Sequence, residues 1–189
     1  MAADGRDTTG AGGAIPGVVV RRVVEDDWAA LRAVRLEMLA DTPLAYLETV
    51  AVAEERSEGE WRFRAHRGSA GSTDLAVAAE PADQPGRWVG YLACFVDAPG
   101  QGHVVSVYVA PTHRGTGLAT ALLDVVRRWA EDDAGLDRLH LFVHENNERA
   151  AAFYRRYGFS TTGHTEPYEL DPSTREVEMA LLLRESAAG

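Results

Sequence analysis

A short segment with the residue types of a phosphate-binding turn lies between an apolar run and an amphipathic run. The segment HRGTGLAT, His113 to Thr120, follows VYVAP and precedes ALLDVVRRWAEDD. A helix N-terminus carries unpaired N–H groups and a partial positive charge, so it binds anions. Gly115 and Gly117 would let the backbone approach phosphate oxygens without a Cβ in the way. A plain tight turn explains the same glycines, so this segment alone leaves both interpretations open.

The segment matches neither of the two common nucleotide signatures. It contains no Gly-Lys-Ser/Thr for a triphosphate, and no second strand-helix unit places an acid for a dinucleotide ribose. A pyrophosphate bound without magnesium fits these residues better.

A second segment, NNERAAAFYRRYGF, places chemistry-bearing residues at helical spacing. Asn147, Ala150 and Tyr154 fall within two helical turns near one face, and Gly158 follows as a helix terminator. On structural grounds alone, Asn147 would be a helix cap and Tyr154 a core aromatic residue.

The elements around these two segments predict an α+β domain with a mixed sheet. Hydrophobic periodicity predicts, in order, one strand, two helices, three strands, a helix, a strand, a helix and two strands. This order gives about seven strands and about four helices. The tight connection APGQG predicts an antiparallel hairpin between GRWVGYLACFVDAPG and HVVSVYVAP.

Length and composition indicate a single globular domain. The chain has 189 residues, of which 46% are hydrophobic and 25% charged. We expect a disordered glycine-rich tail over residues 1–16, a folded domain over 17–185 and a short tail over 186–189. No apolar run reaches the roughly 20 residues that span a bilayer, and no secretory signal is recognised. We therefore expect no membrane partner.

Charge and cysteine content narrow the function classes further. The net charge of −10 argues against a general nucleic-acid binder, which needs a clustered basic face. The single cysteine, Cys94, lies in an apolar run and forms no internal disulfide. This cysteine usage fits a reducing cytoplasm, and the apolar setting predicts a buried packing thiol rather than a nucleophile.

Together, the two segments resemble the cofactor motifs of the GNAT superfamily of N-acetyltransferases. Arg114, Gly117 and Ala119 match the first motif, and the run from Asn147 to Phe159 matches the second, about one strand later. The resemblance implies acetyl-coenzyme A (acetyl-CoA) as co-substrate, without a metal. It also implies a sheet that splays between two central parallel strands, here HVVSVYV and RLHLFVH.

The resemblance also assigns cofactor contacts. Backbone amides from Gly115 to Thr120 would hold the pyrophosphate, the strand from Val107 to Val109 would pair with the pantetheine arm, and Asn147 would contact that arm. An N–H near Tyr108 or Val109 would polarise the thioester carbonyl. The expected cofactor-binding residues are Val107, Tyr108, Val109, Arg114, Gly115, Thr116, Gly117, Leu118, Ala119, Thr120, Asn147, Ala150 and Tyr154.

For catalysis, the resemblance makes Tyr154 the general acid that protonates the departing thiolate. Some family members carry a glutamate base on the fourth strand, but GHVVSVYV has no carboxylate. His103 is our candidate base, on the strand face predicted for Val105 and Val107. His144 and an ordered water chain are the alternatives.

The acceptor is expected to be a primary amine of a small molecule, a peptide or a protein, attacking directly in a ternary complex. By resemblance, the first two helices and nearby loops build its site, with Glu37 and Tyr46 as candidate contacts and Glu48 and Trp61 nearby. The same resemblance predicts a homodimer whose interface includes Trp28, Phe63 or the final strand.

Two other function classes stay open at this stage. A catalytically idle acyl-CoA binder, acting as a sensor or regulatory module, would keep the phosphate-binding turn and lose the acid. The other is a nucleotide-binding module with a mixed sheet, and the missing triphosphate and dinucleotide signatures count against it.

Overall fold

A computed structural model of the protein describes residues 15–69 and 71–183. Within these ranges the chain forms seven strands and five α-helices. The strands are β1 (Val18–Arg22), β2 (Asp74–Pro81), β3 (Gly90–Ala98), β4 (Gln101–Val109), β5 (Arg138–His144), β6 (Ser160–Tyr168) and β7 (Asp171–Leu182). The helices are α1 (Trp28–Asp41), α2 (Val50–Glu54), α3 (Glu58–Ser69), α4 (Leu118–Arg128) and α5 (Glu148–Tyr157).

The limits predicted for the folded domain stay predictions. Most of the predicted tail 1–16 and all of the predicted tail 186–189 lie outside the described residues. No helix in the described part of the chain is both long and apolar enough to cross a membrane.

The seven strands form one mixed sheet in the order β1-β2-β3-β4-β5-β7-β6. Every pairing is antiparallel except that between β4 and β5. These two central strands pair only where residues 101–103 lie opposite residues 138–140, and they diverge beyond His103. The predicted α+β fold, the β3–β4 hairpin and the splay between two parallel strands are confirmed.

The second predicted helix, AEERSEGEWRFRAHRG, corresponds mainly to α3, and the short helix α2 before it accounts for one helix more than expected. The Ser57 N–H donates to Glu60 Oε2 at 2.8 Å, and the Glu60 N–H donates back to Ser57 Oγ at 3.3 Å. This reciprocal pair is a capping box, which satisfies the free N–H groups at a helix start. It begins α3 anew at Glu58, after α2 has ended.

A bulge interrupts β4 in its second half. Ala93 of β3 lies opposite Val105 of β4, and Tyr91 lies opposite Tyr108. Two residues on β3 thus correspond to three on β4, so β4 contains one extra residue. Ser106, which lies within this shift of register, has a positive φ of 58°. Tyr108, rather than Val107, therefore follows Val105 on its strand face. The expectation that Val107 shares the face of His103 and Val105 is wrong for this reason.

The core beneath the site is built from α4 and the central strands. Leu118 and Leu122 of α4 are buried and pack against Gly90 of β3. A Cβ added to Gly90 would lie only 3.3 Å from a methyl group of Leu118 and 3.0 Å from one of Leu122, so the helix packs closely on the strand at this glycine. Cys94 is 2% exposed, and burial raises the pKa of its thiol. The prediction of a buried packing cysteine is confirmed.

Candidate active site

A cleft of about 460 Å³ opens where β4 diverges from β5. The end of β4, the turn before α4 and the exposed side of α5 form its walls. It is lined by Thr42, Ala45, Tyr46, Val107, Tyr108, Val109, His113, Arg114, Gly115, Gly117, Leu118, Ala119, Thr120, Asn147, Arg149, Ala150, Phe153, Tyr154 and Arg156. We call it the first cleft. All the predicted cofactor residues except Thr116 line it.

The N-terminus of α4 faces the first cleft with free N–H groups. Its N-cap, Gly117, has φ 89° and no side chain, so nothing caps the helix from its own sequence. The first intrahelical bond runs from the Ala121 N–H to the Gly117 carbonyl at 3.0 Å. The amides of residues 118–120 therefore have no partner within the helix. A donor set of this kind binds phosphate oxygens.

The turn before α4 is held in shape by its own polar groups. Arg114 donates from Nε to the Val109 carbonyl at 3.1 Å and forms an ion pair with Asp41. Thr116 Oγ1 donates to the His113 carbonyl at 2.7 Å, so this hydroxyl stabilises the turn. Gly115 has φ 79°, and a Cβ there would meet no atom within 4 Å.

Two arginines of α5 give the first cleft a basic wall that sequence reasoning missed. Arg149 and Arg156 line it together with Arg114, whereas no carboxylate does so among the described residues. The local charge is thus opposite to the net charge of −10. The basic residues of NNERAAAFYRRYGF were the available signal, but their direction depends on how α5 packs.

A second cleft, of about 330 Å³, continues from the first along the gap between β4 and β5. The lining residues common to both are Ala45, Tyr46, Val107, Asn147, Ala150 and Tyr154. The second cleft is further lined by Arg35, Leu47, His103, Val104, Val105, Ser106, Leu141, Phe142, Val143, His144, Glu166 and Glu176.

Tyr154 lies at the junction of the two clefts. Its side chain packs against Phe153 and Phe159, with ring centroids 5.3 and 5.6 Å away, and the residue is 7% exposed. Its hydroxyl makes no hydrogen bond within the described chain. Burial, and to a smaller extent Tyr46, raise the pKa of Tyr154, so the phenol carries its proton at neutral pH. The residue is therefore both a core aromatic and an available proton donor.

Asn147 and Tyr46 are the polar residues nearest this junction. Asn147 Oδ1 caps α5 by accepting from the Ala150 N–H at 3.2 Å, which leaves its amide NH₂ without a partner among the described residues. The Tyr46 hydroxyl donates to the Val107 carbonyl at 3.0 Å, and the Arg35 guanidinium lies 5.2 Å from the ring centroid. The predicted cap role of Asn147 is confirmed.

The two candidate base histidines differ in the freedom of their ring nitrogens. His144 Nδ1 accepts from the Asn146 N–H at 3.2 Å, and Nε2 lies 3.1 Å from Thr174 Oγ1, so no lone pair is free. His103 makes no hydrogen bond to a described residue. Burial, and then the neighbouring His140, lower the pKa of His103. Of the two, only His103 presents a free lone pair.

The other predicted acceptor contacts lie outside both clefts. Glu37 Oε1 accepts from the Tyr108 hydroxyl at 2.9 Å. Glu48 is buried and forms ion pairs with Arg35, Arg56 and Arg64. Although burial opposes ionisation, hydrogen bonds from Arg35 and Arg56 lower the pKa of Glu48. Trp61 is 1% exposed and belongs to the core.

Two carboxylates of the second cleft were also missed. Glu166 and Glu176 lie directly opposite each other on β6 and β7. Burial, and then the charges of Glu166 and Glu169, raise the pKa of Glu176. Like charges in directly opposed positions destabilise a sheet. No local pattern could have placed these residues in the cleft, because their position depends on how β7 pairs between β5 and β6.

Comparison with protein families identifies relatives of the chain. A family model described as Acetyltransferase (GNAT) family matches residues 46–159, which hold both motifs. An uncharacterised N-acetyltransferase of Mycobacterium bovis is 32% identical over 138 residues, covering 73% of this chain and 84% of that protein. A mycothiol acetyltransferase of Salinispora tropica is 32% identical over 150 residues, covering 77% of this chain. The present chain spans only 44% of that second relative.

A solved structure shares the fold. The Salmonella typhimurium protein yncA, solved with its cofactor acetyl-CoA, superposes with a TM-score of 0.68. The match covers 91% of this chain and 97% of that one, at 20% identity. At this identity, the likeness concerns the arrangement of strands and helices.

Proposed function

Because the chain belongs to the GNAT acetyltransferase family, we propose that it transfers an acetyl group from acetyl-CoA to an amine. The observation that carries this proposal is the junction of two clefts at Tyr154. One cleft has the donors and charge that a phosphorylated cofactor needs, and the other has carboxylates suited to an ammonium group. The proposal thus assigns the cofactor to the first cleft and the acceptor to the second.

In the first cleft, the pyrophosphate binds the free amides at the start of α4. Gly115 and Gly117 leave the backbone accessible, and the helix dipole adds favourable charge. Arg149 and Arg156 supply further positive charge beside this seat. The pantetheine arm then follows residues 107–109, where β4 has lost β5 as its partner. The choice of acetyl-CoA as the cofactor is supported by the yncA structure, which contains that molecule.

The reaction is a direct attack on the thioester. The amine nitrogen forms a bond to the acetyl carbon, the carbon–sulfur bond breaks, and the electron pair leaves on the sulfur. Tyr154 donates its hydroxyl proton to that thiolate. Burial raises the pKa of Tyr154, so the hydroxyl keeps its proton until the thiolate forms beside it. A backbone N–H at Val109 stabilises the carbonyl oxygen during attack.

His103 accepts the proton that the incoming ammonium must lose. It lines the second cleft and makes no hydrogen bond to a described residue. Glu166 and Glu176 line the same cleft, and their charges favour a cationic acceptor before that proton is removed. A primary amine on a small molecule or on a peptide satisfies these requirements.

No acyl-enzyme forms in this proposal. Cys94 is buried in β3, and burial raises the pKa of its thiol, so the reactive thiolate is disfavoured. Transfer therefore takes place within a ternary complex of protein, acetyl-CoA and amine.

The test combines binding with turnover. Calorimetry should detect acetyl-CoA binding, and ATP at the same concentration should bind more weakly. Thiol release is then assayed with a panel of diamines, peptide N-termini, lysine peptides and aminoglycosides, and at least one of these should be a substrate. For that substrate, double-reciprocal plots of the initial rates should intersect. Parallel patterns would refute direct transfer. Tight acetyl-CoA binding without thiol release for any amine would instead identify an idle acyl-CoA binder.

A further inference from the structure

Three metal-ligating side chains meet at the closed end of the gap between β4 and β5. They are Asp97 at the end of β3, His103 on β4 and His140 on β5. One ligating atom from each lies within 4.8 Å of the other two. Asp97 Oδ2 is 2.7 Å from His140 Nε2 and 4.0 Å from His103 Nδ1.

The sheet itself imposes this proximity. His103 and His140 are the last residues to pair before β4 and β5 diverge, and their rings stack with centroids 4.6 Å apart. Phe95, opposite His103 on β3, packs against that ring at 5.1 Å. The side chains are 29%, 23% and 7% exposed for Asp97, His103 and His140, respectively. The cluster is thus partly enclosed and still open to the second cleft through His103.

Internal hydrogen bonding does not satisfy the cluster. Asp97 can bond His140, but it lies too far from His103 for a hydrogen bond at 4.0 Å. His140 Nδ1 is buried and has no hydrogen-bond partner, although Glu178 Oε1 is 3.3 Å away. Buried polar atoms in native proteins nearly always have a partner. A cation that drew Nε2 of His140 inward would let Nδ1 donate to Glu178, the outer carboxylate contact typical of metal-bound histidines.

We propose that Asp97, His103 and His140 bind one divalent transition-metal ion, of which Zn²⁺ is the best match. Two imidazoles and a carboxylate are a known zinc ligand set that leaves a fourth position open. Bond lengths of about 2.0–2.1 Å place tetrahedral ligands about 3.3 Å apart. The two Asp97 separations of 2.7 and 4.0 Å lie on either side of that value, and the two histidine ligand atoms lie within 4.8 Å of each other, so side-chain movements of about 1 Å form the site.

The ion would also act on catalysis, a consequence that depends on the function proposed above. A metal on His103 Nδ1 occupies the lone pair of the neutral ring, so this residue no longer accepts a proton. Acetyl-CoA binding in the first cleft would continue, because His103 does not line that cleft. Zinc would therefore inhibit acetyl transfer without displacing the cofactor.

Calorimetry with zinc alone tests the site independently of activity. Zn²⁺ is titrated into the untagged, chelator-treated full chain and into Asp97→Asn, His103→Gln and His140→Gln, with His66→Gln as control. His66 is an exposed histidine on α3 that faces Glu25. We expect one ion per wild-type chain, binding at least tenfold weaker in each site variant, and no change in the control. Asp97→Asn and His103→Gln alter partly exposed residues, so the test stands even if His140→Gln fails to fold.

Two results would overturn the proposal. One is the absence of zinc binding by the wild type at micromolar concentrations. The other is affinity unchanged in folded Asp97→Asn and His103→Gln, which would place the ion elsewhere. Cobalt substitution supplies a second readout, because tetrahedral Co²⁺ bound here should lose its visible absorption in the same variants.

Discussion

Substituting Tyr154 by phenylalanine isolates the proton that the proposed mechanism assigns to this residue. The change keeps the ring and its contacts with Phe153 and Phe159. The lost hydroxyl makes no hydrogen bond within the described chain, so no buried partner is left unsatisfied. The free energy of unfolding and the acetyl-CoA affinity should each change by less than about 1 kcal/mol, the net value of one hydrogen bond. For the affinity, this corresponds to a factor below about 5.

Turnover should respond very differently from binding. Loss of a positioned general acid lowers the rate by about 10² or more. Tyr157→Phe is the matched control, because Tyr157 lies one turn later on α5 and its hydroxyl donates to Asp124 at 2.8 Å. That variant should lose some stability and keep its turnover, since Tyr157 lines neither cleft.

The assay compares thiol release with acetyl-CoA binding measured by calorimetry on the same preparations. Equal losses of affinity and rate in Tyr154→Phe would mean that the hydroxyl positions the cofactor. Wild-type turnover in Tyr154→Phe would refute the acid role and assign protonation to water or another group.

Three further predictions concern the cofactor seat, alkaline stability and assembly. Gly115→Val should weaken acetyl-CoA binding about tenfold or more in calorimetry, because a branched side chain crowds the proposed phosphate-binding turn. Gly86→Val is the control and should keep wild-type affinity, since Gly86 has a similar φ of 86° and equally open surroundings. Burial raises the pKa of Tyr91 to about 12, so as the pH rises above about 10 the unfolded chain loses this proton before the folded chain does. The free energy of unfolding, measured in urea, should therefore be constant below about pH 10 and fall towards about pH 12, and the fall should be less steep in Tyr91→Phe. Sedimentation should show a dimer at micromolar concentration and less of it in Phe63→Ser, since Phe63 is 62% exposed; a wild-type monomer would contradict this.

Local patterns were sufficient to predict the elements that flank the site. Apolar spacing located α4, and Gly117 and Gly158 lie at the start of α4 and the end of α5, where their positive φ angles of 89° and 122° suit glycine. The capping box at Ser57 and Glu60 was also readable in the sequence, and it marks the start of α3. These features depend on residues within one turn of each other.

Features that depend on distant strands could not be predicted in this way. Glu176 reaches the second cleft because β7 inserts between β5 and β6, and Asp97 meets His140 across 43 residues of chain. The bulge at Ser106 changes which residues of β4 share a face, and nothing in SVYV announces it. Strand faces follow register, and register is a property of the folded sheet.

Where β4 diverges from β5, its polar groups need hydrogen-bond partners that a neighbouring strand no longer provides. Residues 35–46, in α1 and the segment after it, provide these partners to three consecutive residues of β4. Arg35 donates to Ser106 Oγ at 3.1 Å, the Tyr46 hydroxyl donates to the Val107 carbonyl at 3.0 Å, and Glu37 accepts from the Tyr108 hydroxyl at 2.9 Å. The region that the resemblance assigns to acceptor binding therefore also holds the bulged strand. Arg35 and Tyr46 also line the second cleft, so a molecule bound there would contact the same side chains that hold Ser106 and Val107 in place.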